Sequence, residues 1–452
     1  MTSAREWQRL LRAKQISACE TLDTHLSHIA RRNPELNAIV TFTPDLARIQ
    51  AEAADEAAAR GEFLGPLHGI PVAHKDLQET QGIRTTFGSP LFAGYVPDFD
   101  TEVVRRMKRA GAVCVGKTNT PEFGAGSQTF NPVFGKTRNP YDPAKTCGGS
   151  SGGAAVALAT GMISLADGSD TGGSLRNPAS FCGVTGLRPT PGLVPIVPNR
   201  CPDSPLTVNG PMARNAGDTG LLLSVLAGWP VMPEIERSFR GARVAWLGEI
   251  PGMPFEPEVR RTVNAARGRF HLAGCETEDA ALDFTGADQA FRTLRAHEFY
   301  ALHKEKPLDR VKDTVRQEIE RGAQLTAADW EQAGRLRNEL RARLELFWQT
   351  YDYFVLPTVQ VLPFDIERPF VTVINGETLS SYIDWMRSCY YLSILGIPVL
   401  SVPCGKTEEG LPVGLQIAGK EGADWSVLQL GHAFEQTGAR GHSRTGLNGY
   451  HG

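Results

Sequence analysis

Residues 146–190 read TCGGSSGGAAVALATGMISLADGSDTGGSLRNPASFCGVTGLRPT, and the architecture follows from that stretch outward. Two glycine–serine clusters, Gly148–Gly153 and Gly172–Ser174, are separated by a small-residue run and a short apolar run. The first run, from about Ser151 to Thr160, suits a helix because Ala is the strongest helix former. The second, Met162–Ala166, reads as a buried strand. On the N-terminal side, Thr43-Pro44-Asp45 opens an Ala-rich run that stops at Gly61: an N-cap, Pro in the first turn and Gly past the end predict a helix. A strand is expected at Ile70–Ala73. A helix capped by Asp100 carries Val103, Val104 and Met107 and ends at Gly111, and a strand follows at Ala112–Val115. On the C-terminal side, strands are expected at Val244–Leu247, Phe354–Leu356, Val399–Val402 and Val413–Ile417, with helices between them. Strands alternating with helices predict an α/β fold around a parallel or mixed sheet.

Composition excludes several classes. The chain has 452 residues, 41% hydrophobic and 21% charged, with a net charge of −3. Such a balance points to neither a nucleic-acid nor a membrane-surface partner. The longest apolar run, Leu221–Trp229, is too short to span a bilayer, and the N-terminus lacks the apolar core of a signal peptide. Eight scattered cysteines without a C-x-x-C pair suggest reduced thiols in a cytoplasmic protein rather than a zinc or redox site. His297-Glu298 is followed by His303, not by the H-E-x-x-H spacing that places two histidines on one helical face. Neither metal nor cofactor is therefore expected. Arg335, Arg337, Arg341 and Arg343, interleaved with Glu339 and Glu345, are expected on a solvated helix face. That helix should run from Ala327 to about Gln349, capped by Thr326.

The paired clusters admit four readings. A phosphate cradle would need a G-K-[ST] ending, and none is present. Gly148-Gly149-Ser150-Ser151-Gly152 satisfies the G-x-S-x-G of a nucleophile elbow. That motif needs a strand immediately before it, whereas Asn139-Pro140-Tyr141-Asp142-Pro143 precedes it here. Glycines serving only tight turns and close packing would explain either cluster alone.

The fourth reading takes both clusters together. Gly148–Gly153 followed by Asp170-Thr171-Gly172-Gly173-Ser174-Leu175-Arg176, with Ser150 and Ser174 24 positions apart, resembles the amidase signature family. So does Gly69-Ile70-Pro71-Val72-Ala73-His74-Lys75-Asp76. Flanking stretches agree, among them Gly116–Phe123, Gly186–Thr190, Pro398–Pro403 and Pro412–Gln416. The resemblance is dense over roughly residues 35–230 and looser over 350–440. It implies one amidase domain over residues 1–452, with a central mixed β-sheet flanked by helices on both faces. Within it we expect an N-terminal helical segment (about 1–35), a helical insertion (about 230–350) and a frayed tail (about 440–452).

The resemblance also implies a Ser–Ser–Lys triad. Ser174 is the nucleophile, Ser150, preceded by a cis peptide bond, the relay, and Lys75 the base. A serine hydroxyl is a poor nucleophile near neutral pH and must lose its proton. A lysine can take that proton only when neutral, which burial favours. Backbone N–H groups of Thr171, Gly172, Gly173 and Ser174 are expected to form the oxyanion hole. Ser151, Asp170 and Arg176 are expected in support. Lys117 is expected in a structural ion pair, and His74 packed away from the site. Two positions depart from the family pattern: Arg188 replaces a common Lys, and Ser393-Ile394-Leu395 replaces an Asn-containing turn, a change expected to reshape the pocket. Aromatic residues between Tyr382 and Tyr391, around Trp385, fit a pocket lining and a core helix equally well. The Pro-rich loop after Pro191 is a candidate rim.

The implied activity is hydrolysis of a C–N bond in a small amide or carbamate (urethane), with esterase side activity, by a monomer or homodimer. The alternatives are an amidotransferase A-type glutaminase subunit working with partner subunits, or a catalytically silent binding protein.

Overall fold

The computed structural model describes residues 1–248 and 250–444, without the side chains of residues 439–444. Its centre is an eleven-stranded sheet. In chain order the strands are β1 (Ile39–Phe42), β2 (Pro71–Lys75), β3 (Val113–Thr118), β4 (Leu165–Asp170), β5 (Thr185–Arg188), β6 (Val208–Ala213), β7 (Arg243–Trp246), β8 (Glu276–Asp279), β9 (Tyr353–Pro357), β10 (Val399–Lys406) and β11 (Pro412–Gly419). Their spatial order is β1-β3-β2-β4-β6-β5-β10-β11-β9-β7-β8. The β3-β2-β4 and β9-β7-β8 groups are parallel and the remaining neighbours antiparallel. The sheet is therefore mixed and flanked by helices. One apolar core runs from Ala4 to Phe434, and a small separate cluster forms around Phe299, Val311, Val315 and Ile319.

Local chemistry explains most element ends. Pro44 starts the helix Pro44–Ala59, although the Thr43 side chain makes no capping hydrogen bond. Thr326 and Asp329 form a reciprocal capping box at the start of Ala327–Phe347, which satisfies two otherwise orphaned N–H groups. The helix expected from Asp100 begins instead at Glu102, because the Asp100 carboxylate is held by Lys108 at 2.7 Å.

Three sequence expectations need correction. The strand placed at Met162–Ala166 begins at Leu165 and runs to Asp170. Its second half, Asp167-Gly168-Ser169-Asp170, carries no apolar signal because its side chains serve polar networks described below. Residues 230–350 hold, besides the expected strand β7, a second strand β8 outside the sequence expectations, and the two form one edge of the sheet. The helix Asp424–Arg444 runs through the start of the expected tail, and residues 445–452 lie outside the described residues. Among the described residues no helix is long and apolar enough to cross a membrane.

Candidate active site

Because β2 and β4 are parallel neighbours, their C-terminal residues, Lys75 and Asp170, emerge at the same edge of the sheet. The two glycine–serine clusters close over that edge. Ser150 and Ser151 lead into the helix Gly152–Ala159, and Ser174 lies in the turn between β4 and the helix Arg176–Cys182. The Gly149–Ser150 peptide is cis. The loops are stitched together by Asn177: its Oδ1 accepts the Gly149 N–H at 2.9 Å, and its Nδ2 donates to the carbonyls of Gly149 and Gly173 at 2.5 and 3.1 Å. Glycine is required where the loops press on their neighbours. A Cβ on Gly168 would stand 2.7 Å from Ser151 Oγ. One on Gly173, at φ +121°, would stand 2.5 Å from Cys389 Cβ.

Lys75 is fully buried. Its Nζ lies 2.7 Å from Ser150 Oγ, 2.9 Å from Ser151 Oγ and 3.0 Å from Ser169 Oγ. Burial disfavours the ammonium and brings this lysine down to about 7, against the opposing pull of Asp170 and Asp167. The sequence reading missed Ser169, whose only signal was its place one residue before Asp170.

Beneath Ser174 lies a buried charge network. Burial alone would raise the Asp170 carboxyl, but Arg176 and Arg188 together hold it well below the usual carboxylate range. Arg176 donates to both Asp170 oxygens at 3.0 Å, and to Cys389 O, Gln416 Oε1 and Ser393 Oγ. Arg188 donates to Asp170 Oδ1 at 3.2 Å and to the carbonyls of Leu206 and Ser393. Both departures from the family pattern therefore meet in this network. Ser393 is buried and serves the network rather than the cavity lining, contrary to expectation.

The network also revises the expected oxyanion hole. The Gly173 N–H is taken by the Asp170 carboxylate, donating to Oδ1 at 2.9 Å. Among the described residues the amides of Thr171, Gly172 and Ser174 find no acceptor within the chain.

Ser150, Ser169, Thr171, Gly172 and Ser174 open into a cavity of about 530 Å³. Its walls are rich in aromatic rings: Phe87, Phe92, Tyr95 and Phe123 from one part of the chain, Phe291, Phe299 and Tyr382 from another. Tyr382, Ile383 and Met386 line the cavity, whereas Trp385 is fully buried, stacked on Phe181 at 5.5 Å. The aromatic 382–391 segment thus divides between the two roles considered for it. The Pro-rich loop contributes Arg200, which grips Glu79. Glu298 accepts from the Ser204 and Thr207 hydroxyls, and Thr207 meets Thr171 Oγ1 at 2.6 Å. His303 lines the cavity with its ring 4.7 Å from Phe123, while His297 packs on Trp330.

Other expectations resolve outside the cavity. Among the described residues Lys117 makes no ion pair: its Nζ donates to the Gln78 carbonyl and Thr80 Oγ1. His74 is buried against Asp167, away from the cavity. Arg337 and Arg341 are not merely solvated, since they donate to the carbonyls of Ile394 and Leu395 at the end of the helix Arg387–Leu395. Among the described residues no group of three or more His, Cys, Asp or Glu side chains is arranged to hold a metal.

Comparison with known proteins identifies the family. The Amidase family model matches residues 20–428. The A subunit of the glutamyl-tRNA(Gln) amidotransferase of Moorella thermoacetica is 34% identical over 96% of each chain. The crystal structure of the corresponding protein from Thermotoga maritima superposes with a TM-score of 0.75 at 30% identity, covering 93% of this chain and 91% of that one. A bacterial aryl acylamidase of the amidase signature enzymes superposes with a TM-score of 0.89 at 26% identity over 99% of each chain. This chain belongs to the amidase signature family and is an enzyme of the amidase class.

Proposed function

We propose that the protein is a small-molecule amidohydrolase in which Ser174 attacks the carbonyl carbon, Ser150 relays its proton and Lys75 accepts it. The observation that carries this reading is the placement of Lys75: fully buried, its amine 2.7 Å from Ser150 Oγ, behind a cavity that Ser150 and Ser174 both line. A neutral amine has two N–H donors and one lone pair. With three hydroxyls around it, Lys75 donates to Ser151 and Ser169 and accepts the Ser150 hydroxyl proton. As Ser174 Oγ bonds to the carbonyl carbon, its proton passes to Ser150 Oγ while the Ser150 proton passes to Nζ. The amides of Thr171, Gly172 and Ser174 meet the oxyanion. Return of the proton along the same route to the leaving nitrogen accompanies C–N cleavage. Water then hydrolyses the acyl ester by the reverse relay.

The cavity supports an amide or carbamate with a bulky apolar or aromatic group. A glutaminase role within a larger assembly is the second reading, favoured by the identity to amidotransferase A subunits. The aromatic lining argues against it, because free glutamine offers a charged amino acid head and little apolar surface. The test is a panel of anilide, carbamate, ester and glutamine substrates, run with wild type, Ser174→Ala and Lys75→Ala. Cleavage of anilides or carbamates, lost in both variants, supports the first reading. Glutamine hydrolysis alone supports the second. Full activity in both variants refutes the triad.

A further inference from the structure

We propose that the buried His74–Asp167 pair is a positioning element that keeps Lys75 available as a base by cancelling the charge of the Asp167 carboxylate. The inference rests on the assignment of Lys75 as base and adds residues that never touch the substrate. Asp167, in the middle of β4, has both oxygens engaged by consecutive residues of β2. Oδ1 lies 2.7 Å from His74 Nδ1, and Oδ2 accepts the Lys75 backbone N–H at 3.2 Å. Both side chains are at most 1% exposed.

A buried carboxylate is costly unless paired, and this one lies against the residue that must be neutral. Left alone it would favour the Lys75 ammonium. The other carboxyls nearby are engaged in their own ways: Asp170 is paired with Arg176 and Arg188, and Asp76 accepts the Thr86 amide and hydroxyl and, among the described residues, feels the charge of Lys117 without an ion pair. His74 completes the pattern for Asp167. Burial works against the imidazolium, but the ring remains protonated to about 9 under the pull of Cys114, on β3, and of Asp167. The Cys114 thiolate is opposed by its own burial and favoured by the ring, and the thiol is lowered overall. An imidazolium and a carboxylate together carry no net charge, so Lys75 sees a dipole in place of an anion.

The experiment is the pH dependence of kcat/KM on an anilide substrate for wild type, His74→Gln, Asp167→Asn, the double variant His74→Leu/Asp167→Leu and Lys75→Ala. In His74→Gln the acid limb should move up by about one unit or more, with about a fivefold or greater loss at the wild-type midpoint that is recovered at higher pH. Asp167→Asn should not move the limb upward. The double variant should return it to within about half a unit of wild type. A merely structural pair would lower activity at every pH without moving the limb.

An active His74→Gln enzyme with the wild-type limb overturns the proposal, as does an upward shift in Asp167→Asn or an unrestored limb in the double variant. Should His74→Gln fail to fold, Asp167→Asn and the double variant decide by the same criteria. Lys75→Ala separates the two levels: full activity there overturns the base assignment itself, whereas loss of activity with unmoved limbs in the other variants overturns only the role of the pair.

Discussion

The two walls of the cavity are built on different principles. The wall carrying Lys75, Ser150, Ser151, Ser169 and Ser174 comes from two parallel strand ends and two glycine-rich loops, and short polar contacts tie Lys75 to Ser150, Ser151 and Ser169. The facing aromatic wall gathers Phe87, Phe92, Tyr95, Phe123, Phe299 and Tyr382 from distant segments, held by ring contacts of about 5–6 Å such as Phe87–Phe92 and Phe92–Phe123. Polar contacts on the first wall fix atoms to within tenths of an ångström, as proton transfer demands. Ring packing on the second fixes shape and polarity, which is what recognition of an apolar group demands. Chemistry and selectivity are thus separated in space, and substitutions on each wall should fail in different ways.

The largest effect should come from Ser174→Ala. Removing a nucleophile that acts as part of a unit costs on the order of 10⁴-fold or more in kcat, here without a change in the thermal melting curve. Lys75→Ala should cost about 10²–10⁴-fold. An equal loss for every substrate in the panel would mark both as belonging to the chemical wall.

Arg176→Met should fail differently. It strips Asp170 of its closest guanidinium and leaves a buried carboxylate underpaired, a defect worth about 3–5 kcal/mol of stability. Denaturant titration should show the midpoint falling before activity at low denaturant does. On the aromatic wall, Phe92→Ala should lower kcat/KM about tenfold for an anilide and leave a small aliphatic amide within about twofold. Equal losses on both substrates would break the proposed division of labour.

The smallest effect is a matter of sign. Lys75 is lowered to about 7 by burial and works only when neutral. The kcat/KM of wild type should therefore rise with pH through an acid limb centred near 7 and level off above it. A limb near the ordinary lysine value would mean that burial does not tune this base.

Most of the chemical wall was legible in the sequence through the family resemblance, since the glycine–serine clusters taken singly admitted several readings. Ser169 and the His74–Asp167 pair were not legible. They lie on strand residues whose polar character hid the second half of β4 behind the apolar Met162–Ala166 run. Likewise β8, Glu276–Asp279, is an exposed polar edge strand without alternation to reveal it. The Gly173 amide was misassigned because a G-G-S turn does not tell which N–H its neighbouring carboxylate takes. Lys117 and Arg337 were misread for a related reason: a cation satisfied by backbone carbonyls, as Arg337 is and Lys117 is in part, leaves no acidic partner in the sequence to find. The aromatic wall was almost wholly hidden, since its members share no spacing and meet only through the fold.

The central claim, that Ser174 is the nucleophile, is tested most directly by trapping. The protein would be treated with a fluorophosphonate serine reagent and the modified peptide mapped by mass spectrometry. The account predicts a single adduct on Ser174, absent from Ser174→Ala and formed more slowly in Lys75→Ala. An adduct on Ser150, or undiminished labelling of Ser174→Ala, would contradict it.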